Sequence, residues 1–348
     1  MHKKWIVASI ITGLVMLAHS CKKDKGSDPE EEAISFTKPE NFPQPLYKFE
    51  ANTLTTDGFK LGRKLFYDNT LSKDNSISCG SCHQQFAGFA NLDHSVSHGV
   101  DNCLGTRNAP PIFNLVWQPD FMWDGGVHNI EVSPLNALTS SCEMANDLTA
   151  LVNKLNNTRA YPELFEKAFG TRTITSQLLL KALTQFMAMV VSSNSRYDKY
   201  IRKEAGAEFS EQEKVGYELF KINCSTCHKE PFFTDFSFRS NGLDKIPTDR
   251  GRDSITNNPT DRGKFRVPSL RNIEVSKPYM HDGRFFALED VLEHYNSGVK
   301  AHANLDPALQ KNGHLGITLT KTEQSSILAF LKTLTDHELI NDKRFSEQ

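Results

Sequence analysis

Two copies of the pentapeptide C-x-x-C-H constrain this chain more than any other feature of its sequence. They span residues 79–83 and 224–228. Two cysteines at this spacing, followed at once by a histidine, are typical of a covalent attachment site for c-type haem. The histidine then lies next to the iron and serves as its proximal ligand. The sequence therefore predicts two haem c groups. The predicted attachment residues are Cys79, Cys82, Cys224 and Cys227, and the predicted iron ligands are His83 and His228.

The alternative for these side chains is a zinc site made from both copies, because thiolate and imidazole also suit zinc. A shared tetrahedral site needs four ligands, and it does not need a histidine directly after each cysteine pair. Both copies carry that histidine. The pattern therefore favours two haems.

The N-terminus reads as an export signal. A basic start is followed by an apolar stretch, Trp5 to Ala18, which is short for a membrane span and ends near Cys21. This pattern predicts a lipoprotein signal peptide over 1–20, with Cys21 as the acylated first residue of the mature protein; a plain signal peptide with an incidental cysteine is the alternative. Residues 21–49 are predicted to be a tether, because the stretch 22–32 is polar and lacks large apolar residues. We expect a periplasmic or outer-envelope protein that meets the membrane only through its lipid.

Charge and hydropathy limit the partners. The chain of 348 residues has 40 basic and 42 acidic side chains, which gives a formal charge of −2. No strong field attracts nucleic acid, so we expect no nucleic-acid partner. No later apolar run reaches membrane-spanning length.

Two of the seven cysteines, Cys103 and Cys142, remain after the haem and lipid assignments. In an oxidising compartment two such thiols can pair. The sequence favours a Cys103–Cys142 disulfide, and two buried free thiols are the alternative.

An internal duplication predicts the architecture. The motif G-x-x-L-F precedes both haem sites, at 62–66 and 216–220. After each haem site an Arg-Asn pair, an Asp-Gly pair and an aliphatic residue followed by Glu occur in the same order. This repetition predicts a mainly α fold of two tandem cytochrome c-like haem domains with long loops, over about 50–195 and 205–340. Three helices are predicted. One begins at Ser210, which starts a capping box, and the other two span 177–191 and 325–334.

At this level of detail the chain resembles the bacterial dihaem cytochrome c peroxidases. The resemblance covers nearly everything from residue 50 onward and rests on several stretches beside the two haem motifs. These stretches are Gly105–Pro110, Trp123–Gly125, Glu143-Met144, Val267–Asn272 and Pro278–Gly283. It implies a two-domain enzyme whose N-terminal haem reacts with hydrogen peroxide and whose C-terminal haem relays electrons.

The resemblance also implies roles for single residues. Glu143 matches the family's distal glutamate, which can move a proton during peroxide cleavage. Trp123 matches a tryptophan between the two haems that can carry electrons. The family's pocket glutamine is replaced here by Ser133, which puts its hydrogen bond to peroxide in doubt.

Two departures point toward the MauG-like members. Where many relatives have a mobile histidine that blocks the peroxidatic iron, this chain has Val100, with His98 two positions away, so we expect a permanently open site. The distal ligand of the C-terminal haem is predicted to be Tyr295, in place of the family's methionine, with Met280 as a rival ligand and the absence of both as a third alternative. A tyrosinate ligand favours ferric and higher iron states.

The resemblance further implies a calcium ion between the domains, bound by Asn108 through its side chain and by Ser276 and Pro278 through their carbonyls. The leading hypothesis is a peroxidase that takes electrons from a small cytochrome or cupredoxin. The alternatives are a MauG-like oxidase of a partner protein and a non-catalytic dihaem electron carrier. Family members often dimerise, so a homodimer is also expected.

Overall fold

The computed structural model describes residues 33–92, 94–311 and 313–348. The predicted signal peptide, the predicted acylation site Cys21 and the polar start of the predicted tether lie outside the described residues. The described part is mostly helical, as predicted. Its helices are α1 Thr56–Tyr67, α2 Cys79–Cys82, α3 Ser133–Thr139, α4 Leu148–Asn156, α5 Ala160–Phe169, α6 Ser176–Met189, α7 Arg196–Ile201, α8 Glu211–Asn223, α9 Asp253–Thr256, α10 Leu288–Glu293, α11 Lys321–Lys332 and α12 His337–Asn341.

Extended structure is sparse, and long loops with short 3₁₀ turns join the helices. Strands β1 Phe238–Arg239 and β2 Phe265–Arg266 pair antiparallel, as do β3 Gln310–Lys311 and β4 His314–Leu315. A single π-helical turn, His294–Gly298, follows α10. Among the described residues, no helix combines the length and the apolar character that crossing a bilayer requires.

The predicted helices are present. The Ser210 hydroxyl accepts the backbone N–H of Glu213, and the Glu213 carboxylate accepts the N–H of Ser210, so the predicted capping box begins α8. Helix α6 corresponds to the predicted segment 177–191, and its residues 182–188 are buried on every side of the helix. Helix α11 begins four residues before the predicted start at 325, because Thr320 and Glu323 form a second capping box there.

The duplicated G-x-x-L-F motif has the same structural role in both halves. A Cβ atom on Gly62 in α1 would collide with the carbonyl oxygen of Ala182 in α6. A Cβ atom on Gly216 in α8 would collide with the carbonyl oxygen of Ser326 in α11. In each half the glycine therefore lets the helix before the haem motif cross a later helix at close range. Each crossing helix also places a phenylalanine of its motif, Phe66 or Phe220, in a buried core.

Two hydrophobic cores follow from these two crossings. The first is built mainly around α1, α4, α5 and α6, and the second around α8 and α11. Phe232, Leu339 and Phe345, which come from the second half of the sequence, pack in the first core. The two halves therefore share packed surface. The predicted limits of the domains, 50–195 and 205–340, stay predictions.

Part of the predicted tether packs on the first core. Phe42 is buried, and Trp117 and Phe232 pack against its ring with centroids 5.0 and 4.8 Å away. Ile34 and Phe36 are partly buried against the same core. The stretch from residue 34 to 49 is therefore not a free linker. Its scattered aromatic residues are the cause, because burying them stabilises the ordered chain.

A buried ion pair joins distant parts of the chain. The guanidinium of Arg271 donates two hydrogen bonds of 2.7 Å to the carboxylate of Asp198 in α7, and both side chains are fully buried. Asn41 donates to the same carboxylate, and the ring of Phe42 lies under the guanidinium. This pair ties the N-terminal segment, α7 and the loop before residue 272 together.

Candidate active site

The first C-x-x-C-H motif forms the short helix α2 and the residue after it. The hydroxyl of Ser81 accepts the backbone N–H of Ser78 and holds the start of this turn. Cys79 and Cys82 are not in disulfides. The Nδ1 atom of His83 lies 3.1 Å from the carbonyl oxygen of Phe89. A carbonyl only accepts, so Nδ1 carries the proton and Nε2 keeps its lone pair.

The second motif repeats this arrangement at the end of α8. Cys224 caps the helix, and neither Cys224 nor Cys227 is in a disulfide. The Nδ1 atom of His228 lies 3.0 Å from the carbonyl oxygen of Phe233. Burial lowers the pKa of both imidazoles, that of His83 to about 4, so both are neutral at physiological pH.

These two donor sets fit haem c. Each provides two thiols and one imidazole whose Nδ1 is hydrogen-bonded to a backbone carbonyl, which is the usual way in which a protein orients a metal-binding histidine. The zinc alternative fits less well. Within residues 33–92, 94–311 and 313–348, no three side chains of the types His, Cys, Asp and Glu converge on a metal position.

Glu143 lies beside the first motif. Burial raises the pKa of its carboxyl group. Burial also raises the pKa of the Cys79 and Cys82 thiols, and the charge of Glu143 adds to this effect, so the carboxylate is within electrostatic range of both sulfurs. Its side chain accepts no hydrogen bond from the described part of the chain. A half-buried carboxylate in this state is able to accept and return a proton.

The loop from 97 to 103 positions the residues around Glu143. The backbone N–H of Val100 donates to the carbonyl oxygen of Glu143 at 2.8 Å, and Val100 is 3% exposed. A disulfide joins Cys103 to Cys142, with Cα atoms 4.9 Å apart. A Cβ on Gly99 would collide with the carbonyl oxygen of Cys142, so only glycine fits there. The loop and the Glu143 turn are therefore held together covalently and by backbone contacts.

His98 and Ser133 are two further residues that the sequence analysis singled out near this site. The His98 side chain is exposed, and its ring contacts that of His94 with centroids 4.6 Å apart. The hydroxyl of Ser133 donates to the carbonyl oxygen of Ile130 at the start of α3. Its hydroxyl proton is thus used within its own turn.

Trp123 is held by both halves of the sequence. Its indole Nε1 donates to the carbonyl oxygen of Asn108 at 2.8 Å, and its own carbonyl oxygen accepts the N–H of Arg266 at 2.8 Å. The side chain is 7% exposed and belongs to neither hydrophobic core. This position suits a residue between two redox groups.

Tyr295 lies beside the second motif, in the π-helical turn. Burial raises its pKa to about 12, the amide of Asn241 hydrogen-bonds to the phenol, and the sulfurs of Cys224 and Cys227 are in electrostatic range. The Nδ2 atom of Asn241 also lies 3.3 Å from the sulfur of Met280. One amide thus contacts both candidate ligands. Asn241 was not predicted from the sequence, because an Asn-Gly pair there reads as an ordinary turn.

The predicted calcium ligands are distributed over the contact between the two halves. The Nδ2 atom of Asn108 lies 3.2 Å from the carbonyl oxygens of both His94 and Ser95, and its backbone N–H donates to His281 at 2.7 Å. Ser276 is 9% exposed, and a cis peptide bond precedes Pro278. The calcium site stays a prediction.

Comparison with known proteins identifies the family to which the chain belongs. Residues 56–206 match the family model described as "Di-haem cytochrome c peroxidase". The MauG protein of Methylophilus methylotrophus, named for methylamine utilization, is 31% identical over 303 residues, which cover 86% of this chain and 87% of that protein. The chain belongs to the dihaem cytochrome c peroxidase family. A cytochrome c551 peroxidase of Nitrosomonas europaea is 32% identical over 301 residues, 84% of each protein.

The fold agrees with this membership. The crystal structure of a MauG-like protein associated with microbial copper homeostasis superposes with a TM-score of 0.82 at 32% identity, over 90% of this chain and 99% of that one. The predicted family and the predicted fold, mainly α with two haem domains, are confirmed. Membership in this family implies two haem groups.

Proposed function

We propose that this protein is a periplasmic dihaem peroxidase that reduces hydrogen peroxide to water. Two electrons and two protons convert one peroxide molecule into two water molecules. Relatives named as cytochrome c peroxidases support this reaction class. The observation that carries the proposal is the difference between the two motif sites. The first lies beside a carboxylate, Glu143, next to Val100, whereas the second lies beside Tyr295, whose partner Asn241 also contacts Met280.

His83 and His228 are the residues that hold the two haems from the proximal side, and the four motif cysteines are their covalent anchors. When bound, the haems supply redox-active iron for peroxide reduction and electron transfer. The hydrogen bonds to Phe89 and Phe233 fix which imidazole nitrogen is free for iron.

Glu143 is the proton carrier. Its carboxylate takes the proton of one peroxide oxygen and returns it to the other oxygen, which leaves as water. A carboxyl group whose pKa is raised by burial holds a proton more readily than an exposed one, which suits it to both steps. The side chain of Val100 has no atom that can bind iron, so Val100 does not block this site.

Trp123 is the electron path between the halves. A small cytochrome or cupredoxin would supply the electrons, and the haem held by His228 would provide the redox group that receives them. Export and a lipid anchor at Cys21 place the enzyme in the periplasm or the outer envelope, and a homodimer is the expected assembly. Asn108, Ser276 and Pro278 are the proposed ligands of a calcium ion.

A MauG-like oxidation of a partner protein is the second candidate, and the position of Tyr295 beside the second motif favours it. Anaerobic titration with hydrogen peroxide separates the two functions. Rapid return to the resting spectrum with a reduced small cytochrome supports the peroxidase. A doubly oxidised state that persists for minutes and does not react with the reduced cytochrome supports protein oxidation.

Electron paramagnetic resonance of the resting protein tests the third alternative, an electron carrier. A high-spin ferric signal from one haem supports an open peroxidatic site. Two low-spin signals that remain after partial reduction would contradict the proposed function. A pyridine haemochrome assay provides the haem count, which should be two per chain.

A further inference from the structure

Arg266 is a buried cation without a carboxylate partner in the described part of the chain. Its side chain lies in β2 and is 5% exposed. The Nε atom is 3.4 Å from the carbonyl oxygen of Met122, which is a long hydrogen bond. Burial lowers its pKa to about 10, so the guanidinium still carries its charge at neutral pH. The acidic group that acts on it, Asp120, is itself bound to His128.

Three other buried or half-buried arginines are neutralised by carboxylates. Arg271 binds Asp198 through two hydrogen bonds of 2.7 Å. Arg239 binds both Asp235 and Asp306, and Arg107 binds Asp124 and Asp249. An unpaired buried charge is costly, so an anion is expected beside Arg266 too.

The surroundings of Arg266 leave its donors free for that anion. Arg266 lines a small cavity together with residues of both halves, among them Phe113 and Phe236. The hydroxyls in the lining are already used, since Thr234 donates to Val267 and Ser269 donates to Phe232. The amide of Asn114 pairs with the backbone of Ser192.

The position of Arg266 indicates the chemical class of the anion. Its N–H binds Trp123, and it comes two residues before Pro268, whose carbonyl oxygen is near the ring of His228. It is thus between the tryptophan that connects the halves and the proximal segment of the second motif. A haem c has two propionate carboxylates, and a planar guanidinium matches a carboxylate with two parallel hydrogen bonds.

We propose that Arg266 is the cation of a carboxylate-binding site between the two halves, with a haem propionate as its ligand. The proposal rests on the presence of haem, which family membership implies, and not on the peroxidase reaction. A free carboxylate such as acetate has the same chemistry, and the experiment distinguishes the two sources.

The test is the midpoint potential of each haem, measured by spectroelectrochemistry without peroxide in wild type, Arg266→Gln and Arg266→Lys. Loss of a positive charge beside a propionate stabilises ferric iron. In Arg266→Gln, the reduced-to-oxidised ratio of one haem at fixed potential should fall about tenfold, which is about 59 mV for one electron. Arg266→Lys keeps the charge and should stay close to wild type. The control Arg250→Gln removes a half-exposed arginine paired with Asp253 and should change neither haem.

Repeating the measurement with acetate identifies the source. A wild-type midpoint potential that does not change when acetate is added supports the propionate as the ligand. A potential that shifts with acetate in wild type, and not in Arg266→Gln, supports a free carboxylate at the same site. Equal potentials and equal acetate response in all variants would overturn the proposal. If Arg266→Gln does not retain both haems, resonance Raman of the propionate bending bands in wild type and Arg266→Lys decides, and identical bands would also overturn it.

Discussion

Val100 donates its backbone N–H to the carbonyl oxygen of Glu143, at 2.8 Å. The position at which the family resemblance predicts a blocking histidine is therefore attached to the proposed proton carrier. If the first site is open because valine has no ligand atom, then Val100→His should close it. We expect the high-spin resting signal to become low-spin and the reaction with peroxide to require prior reduction.

His98→Ala is the matched control for this change. The His98 side chain is exposed, so its loss should leave the high-spin signal in place. A wild-type signal that is already low-spin, and that becomes high-spin in His98→Ala, would show that the loop supplies this ligand instead.

Glu143→Gln should slow the oxidation of the protein by peroxide about 10²–10⁴-fold, the range typical of general acid–base steps. Stopped-flow absorbance measures this rate. The carboxylate is the form that accepts a proton, so the wild-type rate should fall as the pH drops through the raised pKa of Glu143. The variant should lack this step. Glu163→Gln changes an exposed glutamate and should react like wild type; equal rates for both variants would exclude Glu143 as the proton carrier.

Tyr295→Phe should change the coordination of the second haem, because it removes the oxygen that lies beside the second motif. Loss of an anionic ligand favours ferrous iron, so the potential of this haem should rise. Absorption spectra and spectroelectrochemistry measure both effects. Met280→Leu is the comparison: a shift in that variant alone would assign the ligand to Met280.

Asp198→Asn should lower the free energy of unfolding by about 3–5 kcal/mol, because it leaves Arg271 buried without its counter-charge. Denaturant titration measures the change. Glu166→Gln breaks an exposed pair with Arg172 and should cost less than about 1 kcal/mol.

The same pair has a pH signature. Burial by itself raises the pKa of Asp198, but the charge and hydrogen bonds of Arg271 outweigh this and lower it. The contribution of the pair is therefore present above the unfolded pKa of about 3.9 and is lost as the pH falls through the folded pKa. Wild type should thus lose more stability than Asp198→Asn in acid, and parallel losses would contradict this assignment.

The haem motifs, the capping box at Ser210 and the buried helix α6 could be predicted from the sequence, because each depends on residues close together in the chain. The pairing of Asp198 with Arg271 could not be read in this way, because 73 residues separate the two partners. The same is true of Asn241, which gains its place near Tyr295 only through folding. The packing of Phe42 could not be predicted because the aromatic residues of its segment are scattered without periodicity.

The ion pair of Asp198 and Arg271 also bears on whether the protein can be divided. It is completed by Asn41 from the start of the described chain and lies over the ring of Phe42. A cut in the gene after Asp198 and before residue 205 would put Asp198 and Arg271 on different fragments, and each fragment would then carry an uncompensated charge from this pair. A repeated sequence has thus become an indivisible unit, and single-haem fragments should be recovered only as insoluble or rapidly degraded chains.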